Sequence, residues 1–267
     1  MSRRPGPLLA VDIGNTNVHW RLFGADRAAG TGGRCPTAEA PVAAQLLAQA
    51  AGDAGKVPVG VCSVVPSAEA QVTAALSEAG LEVSVLGREV PVSVRTGYAD
   101  PTEIGLDRLA NAAGAFALTG GPCVVAAVGT AITVDAVGAD GTHLGGAIAP
   151  GPEAALAGLL ARVSGPSLRR LDEPETRAAL LAAMPSVSAP GTSTPDCLRL
   201  GLRLGFAGLL DRLVQEHRSL VGDGAAVIGT GGALAALLRY CRVALRPEPE
   251  LTLLGIREVW LAAGGAR

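Results

Sequence analysis

Two apolar runs separated by a polar turn stand at the start of the chain. Residues 8–11 are continuously apolar, which predicts a buried strand, and residues 18–23 mix β-favouring residues with partial alternation, which predicts a second strand. The turn between them has the sequence Gly14-Asn15-Thr16-Asn17, and Gly and Asn tolerate the positive φ of tight turns. The hydrophobic pattern therefore predicts an N-terminal β-hairpin.

Helix and strand patterns alternate through the rest of the first half. Apolar spacing predicts strands over residues 59–64 and 82–86 and helices over residues 41–51, 67–79 and 106–118. Ser67 is the expected N-cap of the second helix, and Gly80 stands at its C-terminal end. The Gly-Gly-Pro sequence at 120–122 ends the third helix and predicts a boundary there.

The opening pattern then returns. Residues 123–137, CVVAAVGTAITVDAV, form a strand, a Gly-Thr turn and a strand, as residues 8–23 do in LLAVDIGNTNVHWRLF. When Gly129 is aligned on Gly14, Thr130 falls near the threonine of the first turn. Such a repeat predicts two similarly built α/β lobes, over residues 1–120 and 121–267, that face a cleft.

The remainder of the second half continues the alternation. Helices are predicted over residues 152–163, 195–220 and 232–240, with a strand over residues 225–229. Residues 164–193 are rich in Ser, Pro and charge, which predicts long loops around a short helix at 175–183.

Composition narrows the function classes. The chain has 267 residues, of which 49% are hydrophobic, and a formal net charge of −2, as in ordinary globular proteins. Aromatic residues make up only 3%, and no basic cluster follows Arg3 and Arg4, which argues against a nucleic-acid partner. The apolar run over residues 123–134 is too short and too interrupted to span a membrane.

Cysteine and histidine usage indicates a reduced, zinc-free protein. The five cysteines are scattered without a C-x-x-C pair, and the three histidines have no metal-ligand spacing. Buried thiols of this kind are typical of a cytoplasmic protein.

Asp12 is the first candidate for chemistry. A carboxylate at the end of an apolar strand is costly to bury without a partner. One interpretation is a purely structural hairpin. The other is a phosphate loop, in which backbone N–H groups and hydroxyls of the turn bind phosphate and Asp12 holds Mg²⁺ through water.

A second candidate lies at the start of the third predicted helix. Asp107 and Arg108 follow Gly105 there, and a carboxylate beside a guanidinium is suited to a general base and a phosphate clamp. The alternative is an exposed helix-start aspartate, favoured by the helix dipole, next to a surface arginine.

Seven motifs in order give the chain a specific resemblance. They are DIGNTN (12–17), SVVP (63–66), Y-x-x-P-x-x-x-G-x-D-R-x-x-N (98–111), GTAITVD (129–135), GGAIAPG (145–151), TGG (230–232) and LTLLGI (251–256). Together they span nearly the whole chain and resemble bacterial type III pantothenate kinases, of the acetate and sugar kinase/actin-like ATPase superfamily. The resemblance implies two ribonuclease-H-like lobes with mixed sheets facing a nucleotide cleft. It also implies ATP-dependent phosphorylation of pantothenate, the first step of coenzyme A synthesis.

The resemblance assigns roles to individual positions. The residues implied for ATP binding are Asp12, Ile13, Gly14, Asn15, Thr16, Asn17, Val18, His19, Thr130, Gly231 and Gly232, with Asp12 holding Mg²⁺ through water. The residues implied for pantothenate binding are Tyr98, Gly105, Leu106, Asp107, Arg108 and Thr194. Among these, Asp107 is the implied proton acceptor. In homodimers of the family, the threonine contact comes from the neighbouring subunit.

Several of these positions have simpler interpretations. Thr194 followed by Pro195 favours an N-cap and N1 pair. Tyr98 is equally explained as a half-buried tyrosine with a satisfied hydroxyl. The glycines of residues 145–151 are explained by a turn before a helix.

The pattern departs from the family at one position. The second phosphate motif of the family has Asp-x-Gly-Thr, whose Asp helps to bind K⁺ or NH₄⁺, but Ala127 stands there in this chain. The internal repeat gives the same alignment, because Ala127 falls on Asp12. Alanine offers no ligand to a hard cation, so we expect weak cation binding or none, unless backbone carbonyls and water complete the site. Two alternative functions remain open: a catalytically weak relative that regulates or binds, or a kinase for another small hydroxyl compound.

Overall fold

The computed structural model describes residues 6–24, 29–55, 57–163 and 189–264. Within these ranges the chain forms two five-stranded sheets with helices packed on them. The short helix predicted at 175–183 lies outside the described residues, as does most of the predicted loop region around it.

The first sheet contains the N-terminal hairpin. Its strands, in chain order, are β1 Leu8–Ile13, β2 Asn17–Phe23, β3 Ala29–Pro36, β4 Val59–Ser63 and β5 Val83–Val85. Their order in the sheet is β3-β2-β1-β4-β5. Strand β1 pairs antiparallel with β2 and parallel with β4, so this sheet is mixed.

Helices cover both faces of the first sheet. They are α1 Ala40–Asp53, α2 Pro66–Glu78, α3 Leu106–Thr119 and, at the C-terminus, α7 Leu251–Ala262. Leu9 and Val11 belong to the core that contains α1 and α2, whereas Leu8 and Ala10 belong to the core that contains residues of α3 and α7. Burial on both faces explains why β1 is apolar without alternation.

The second sheet repeats the strand order of the first. Its strands are β6 Cys123–Val128, β7 Ala131–Val137, β8 His143–Pro150, β9 Ala226–Thr230 and β10 Arg246–Pro247. The order β8-β7-β6-β9-β10 corresponds strand by strand to that of the first sheet. The intervening helices are α4 Pro152–Leu160, α5 Thr194–Val221 and α6 Leu234–Leu238. The predicted fold class, two α/β sheets of one design, is confirmed.

By packing, the chain divides into two compact units. The first unit comprises residues 1–121, 137–145 and 250–267, and the second comprises residues 122–136 and 146–249. The first unit therefore includes the β7–β8 turn and α7. The simpler division into lobes at residue 120 stays a prediction.

Local differences from the sequence-based expectations have simple causes. Helix α2 begins at Pro66, with Val65 before it, so the expected N-cap at Ser67 is wrong. Gly145 and Gly146 lie within strand β8 and not in a turn, since glycine and proline obscure the alternation of that strand. The chain does turn into a helix at Gly151, which is the N-cap of α4. Besides β8, three elements were not predicted: the glycine-rich β3, the two-residue β10 and helix α7.

Among the described helices, none combines the length and the apolar character that a bilayer span requires. All five cysteines are described, and all are free thiols.

Candidate functional site

The β1–β2 turn is held by three hydrogen bonds. The N–H of Gly14 donates to the carbonyl of Asn17 at 3.0 Å, which closes the hairpin. Thr37 binds the turn from outside, because its hydroxyl donates to the carbonyl of Gly14 at 2.6 Å and its N–H to that of Thr16 at 3.0 Å. The predicted hairpin is confirmed, and a fixed turn is also the scaffold that a phosphate loop needs.

Only part of this turn presents side chains to solvent. Asn15 and Thr16 are exposed, whereas Ile13 and Val18 are fully buried in the core. Ile13 and Val18 therefore offer a ligand only backbone groups. His19 lies opposite Asp12 across the hairpin. Burial, with a contribution from the positive charge of Arg34, lowers the pKa of the His19 imidazole and favours its neutral form.

Asp12 and Asp107 lie close enough to repel one another. Burial, and then the charge of Asp107, raises the pKa of Asp12 from 3.8 to about 7. The same surroundings act on Cys62, which is paired with Asp12 across β1 and β4. Burial and the nearby carboxylates raise the pKa of its thiol well above 9.0, so Cys62 stays protonated at neutral pH.

These carboxylates fit a hydrated magnesium ion. Within the described ranges, no three His, Cys, Asp or Glu side chains cluster as a metal-binding cage. Mg²⁺ does not need such a cage, because it keeps several waters and binds through one or two carboxylates together with substrate phosphates. A divalent cation would also favour the ionised form of Asp12, which burial and the charge of Asp107 disfavour.

The start of α3 presents Asp107 and Arg108. Gly105 precedes the helix, and a Cβ there would lie 2.5 Å from a carboxylate oxygen of Asp107, so a side chain at this position would displace that carboxylate. Arg108 is only 5% exposed. The interpretation of Arg108 as a surface arginine is therefore wrong, and a buried guanidinium at this position needs anionic or polar partners.

Tyr98 is one partner of Arg108. A guanidinium N–H of Arg108 donates to the hydroxyl oxygen of Tyr98 at 2.7 Å. The Cζ of Arg108 lies 5.6 Å from the centre of the same ring. The structure thus brings together the two residues at the ends of the Y…DR motif, although ten positions separate them.

Helix α3 is anchored by α7, through residues whose role the sequence did not reveal. The hydroxyl of Thr252 donates to the side-chain carbonyl of Asn111 at 2.8 Å. A Cβ on Gly114 would lie 2.7 Å from the carbonyl oxygen of Leu251, and one on Gly255 would collide with the carbonyl oxygen of Ala110. The asparagine of the DRxxN motif and the glycine of LTLLGI therefore fix the helix that carries Asp107.

In the second unit, three motifs meet at the end of β6. The N–H of Gly151 donates to the carbonyl of Thr130 at 2.9 Å, and the N–H of Ala233 donates to that of Val128 at 3.0 Å. Gly231 has a φ of +96°, and a Cβ there would collide with the carbonyl of Val128. The GTAITVD, PG and TGG segments are thereby joined, and Thr130, Gly231 and Gly232 are exposed.

Thr194 is the exposed first residue of α5. The N-cap of this helix is Ser193, whose hydroxyl accepts the N–H of Asp196 at 3.3 Å. The interpretation of Thr194 as the helix cap is therefore wrong.

Ala127 lies in β6, next to Thr230 in the register with β9. Asp135, the nearest acidic residue after it in the sequence, is on β7 and only 1% exposed.

The comparisons with known proteins agree on one family. The model of the type III pantothenate kinase family matches residues 8–216. A type III pantothenate kinase of Salinispora arenicola is 34% identical over 260 residues, which cover 95% of this chain and 98% of the relative. One of Frankia alni is 35% identical over 265 residues, with coverage of 95% and 98%.

A solved structure supports the fold. A ROK family glucokinase from Streptomyces griseus, in complex with glucose and AMPPNP, matches with a TM-score of 0.53 and 16% identity. The match covers 94% of this chain and 98% of that one. The likeness shows that the two sheets and their helices share the fold of that glucokinase.

Proposed function

The chain belongs to the type III pantothenate kinase family and phosphorylates pantothenate with ATP in coenzyme A biosynthesis, and from this premise we propose a role for each site residue. The observation that carries the proposal is the group formed by Asp12, Asp107, Arg108 and Tyr98 in the first unit. It combines a proton acceptor, a metal-binding carboxylate and two donors for an anion. The family matches give no support to a regulator or to a kinase for another hydroxyl substrate.

Asp107 is the general base in this proposal. It takes the proton from the primary hydroxyl of pantothenate as the oxygen attacks the γ-phosphorus of ATP and ADP leaves with the bridging oxygen. It lies in the first turn of α3, where the helix dipole favours negative charge. Phosphoryl transfer otherwise depends on positioning and charge stabilisation.

Arg108 and Tyr98 bind the pantothenate anion. The guanidinium is fixed by burial and by its bond to Tyr98, so little conformational entropy is lost when substrate binds. Thr194, at the start of α5, adds a contact from the partner subunit of a dimer. Gly105 and Leu106 shape the approach to Asp107.

The two glycine turns bind ATP. In the first unit, the backbone and exposed side chains of residues 13–19 surround the phosphates. Asp12 would hold Mg²⁺ through water, and the bound metal would neutralise phosphate charge. In the second unit, Thr130 contacts the phosphates and Gly231 and Gly232 lie near the adenosine. Gly232 has open space where a side chain would be, which suits close approach of a ligand to the backbone.

We propose that the monovalent cation of the family is bound weakly here, because Ala127 contributes neither charge nor oxygen. We also propose a homodimer, in which Thr194 of the partner subunit completes the pantothenate pocket. One side of α5 supports it, since Cys197, Gly201 and Leu204 are exposed at helical spacing. Five free thiols support a cytoplasmic location.

A coupled assay of ADP release tests the proposal. We expect ADP release from ATP and Mg²⁺ to require pantothenate. We expect Arg108→Ala to raise KM for pantothenate by roughly 10–100-fold, the effect of losing a charged hydrogen bond, and to leave KM for ATP within about twofold. Equal increases in both KM values would place Arg108 at the phosphates instead.

A further inference from the structure

A buried histidine outside the implied site lies directly behind Tyr98. His143 begins β8 and is 0% exposed. Its ring centre lies 5.8 Å from that of Tyr98, with the two planes tilted by 56°. None of the seven motifs contains His143, and the function proposed above gives it no role.

The backbone around His143 fixes the segment that leads to Tyr98. The N–H of His143 donates to the carbonyl of Arg95 at 2.8 Å, and its carbonyl accepts the N–H of Gly97 at 2.7 Å. The two backbone segments approach so closely that a Cβ on Gly97 would lie 2.7 Å from the carbonyl oxygen of Leu144. Tyr98 therefore emerges from a short bridge between Thr96 and His143, not from a free loop.

Side chains continue the same connection. The hydroxyl of Thr96 lies 3.3 Å from Nδ1 of His143 and accepts the N–H of Tyr98 at 3.2 Å. A single hydroxyl therefore joins the buried imidazole to the backbone of Tyr98. A threonine hydroxyl has one proton to donate and two lone pairs to accept, so both contacts are satisfied at once.

The far end of Tyr98 meets the substrate-binding arginine. Its hydroxyl oxygen accepts from Arg108 at 2.7 Å, so the role it plays there is that of an acceptor, and the hydroxyl also carries a proton of its own to donate. That proton is available to an anionic or hydroxyl-bearing ligand, next to the guanidinium. The direction in which Tyr98 points its hydroxyl thus decides how well the two donors converge.

We propose that Thr96 and His143 are positioning residues for pantothenate, acting through Tyr98 on Arg108. The inference rests on the proposed role of Tyr98 and Arg108. Thr96 and His143 do not touch the substrate; they hold the tyrosine ring and backbone so that its hydroxyl and the guanidinium are pre-organised. Substitutions that remove these contacts weaken the binding of pantothenate and leave the phosphate turns unaffected.

Paired substitutions separate this role from general stability. Thr96→Val removes the shared hydroxyl with almost no change in shape, and Thr96→Ser keeps it. His143→Asn places an amide atom near the position of Nδ1, and His143→Gln does not. We expect Thr96→Val and His143→Gln to raise KM for pantothenate by about tenfold, with KM for ATP and kcat within twofold. Thr96→Ser and His143→Asn should stay within about threefold of wild type.

A double-mutant cycle tests whether the effect passes through the tyrosine. In a Tyr98→Phe background, which lacks the hydroxyl, Thr96→Val should add less than twofold to KM for pantothenate. A further tenfold rise in that background would overturn the inference, as would equal rises in KM for pantothenate and ATP.

The same cycle distinguishes two kinds of failure. If Tyr98→Phe alone leaves KM for pantothenate unchanged, the proposed substrate site is wrong, and the role of Thr96 and His143 falls with it. If Tyr98→Phe raises that KM and neither Thr96→Val nor His143→Gln does, the site stands and only the positioning role is overturned.

Discussion

The hairpin after β1 and the hairpin after β6 occupy corresponding places in sheets of the same strand order. Each turns through a glycine, Gly14 in the first and Gly129 in the second, with an N–H that closes the turn. At the position two residues earlier, the first hairpin has Asp12 and the second has Ala127. The scaffold is repeated, and the acid is not.

The surroundings of the two turns differ in the same way. In the first unit Asp107 lies near Asp12, and burial, followed by the charge of Asp107, raises the pKa of Asp12 to about 7. The second unit collects glycines and backbone carbonyls around Val128 and Thr130. The comparison teaches that strand order fixes where a loop lies in the sheet. The side chains of the loop then decide whether it contributes a charged group to a binding site or only a close-packed backbone.

Removing the acid of the first hairpin makes it resemble the second, and among changes to the two hairpins we expect the largest effect from this one. Asp12→Ala should weaken the apparent affinity for Mg²⁺ in turnover by roughly 10–100-fold, the usual cost of losing an outer-shell metal partner. The measurement is a titration of Mg²⁺ at fixed ATP. Asp223→Ala, at an exposed site in the second unit, is the control and should leave the titration unchanged.

Adding an acid to the second hairpin is the reverse experiment, and it tests whether the missing carboxylate decides cation dependence. We expect wild-type turnover to change by less than about twofold when K⁺ or NH₄⁺ replaces Na⁺, because Ala127 supplies no oxygen ligand. Ala127→Asp should gain dependence on these cations, and Ala127→Asn controls for size without charge. Strong activation of the wild type by millimolar K⁺, unchanged in Ala127→Asp, would contradict the prediction.

The smallest effect concerns stability in the absence of metal. The folded state holds the proton of Asp12 up to about pH 7, whereas the unfolded chain releases it near pH 3.8. The carboxylate therefore lowers stability progressively as the pH rises from about 4 through 7. Asp12→Asn should match the wild-type Tm at pH 4 and exceed it by roughly 2–4 °C at pH 8.

The control for this prediction is Asp53→Asn, at an exposed site at the end of α1. It should show no such divergence in Tm between pH 4 and pH 8. A difference in Tm between Asp12→Asn and wild type that stays the same at all pH values would show that burial does not raise the pKa of Asp12.

Local patterns were enough to predict much of this architecture. The apolar run of β1, the glycine turn after it and the repeat at residues 123–137 predicted both hairpins and the doubled fold. The motif from Tyr98 to Arg108 also indicated a site before any contact was known. In each case the information lies within a few neighbouring positions.

What escaped prediction depends on contacts between distant segments. Gly255 is an ordinary helical glycine until α7 is packed on α3, where its missing side chain allows the close crossing. The burial of Arg108 likewise depends on how separate parts of the chain pack, and the bridge from His143 to Thr96 pairs two such parts. Periodicity cannot show such pairings, because they arise only when the elements pack.

The most direct test of the account is the pantothenate-dependent rate of Asp107→Asn. Asparagine keeps the size of the side chain and one acceptor oxygen but cannot take the substrate proton. We predict a loss of about 10²–10⁴-fold in kcat with an unchanged Tm, whereas Asp223→Asn keeps the wild-type rate. An Asp107→Asn enzyme with unchanged kcat would contradict the role of Asp107 as the general base.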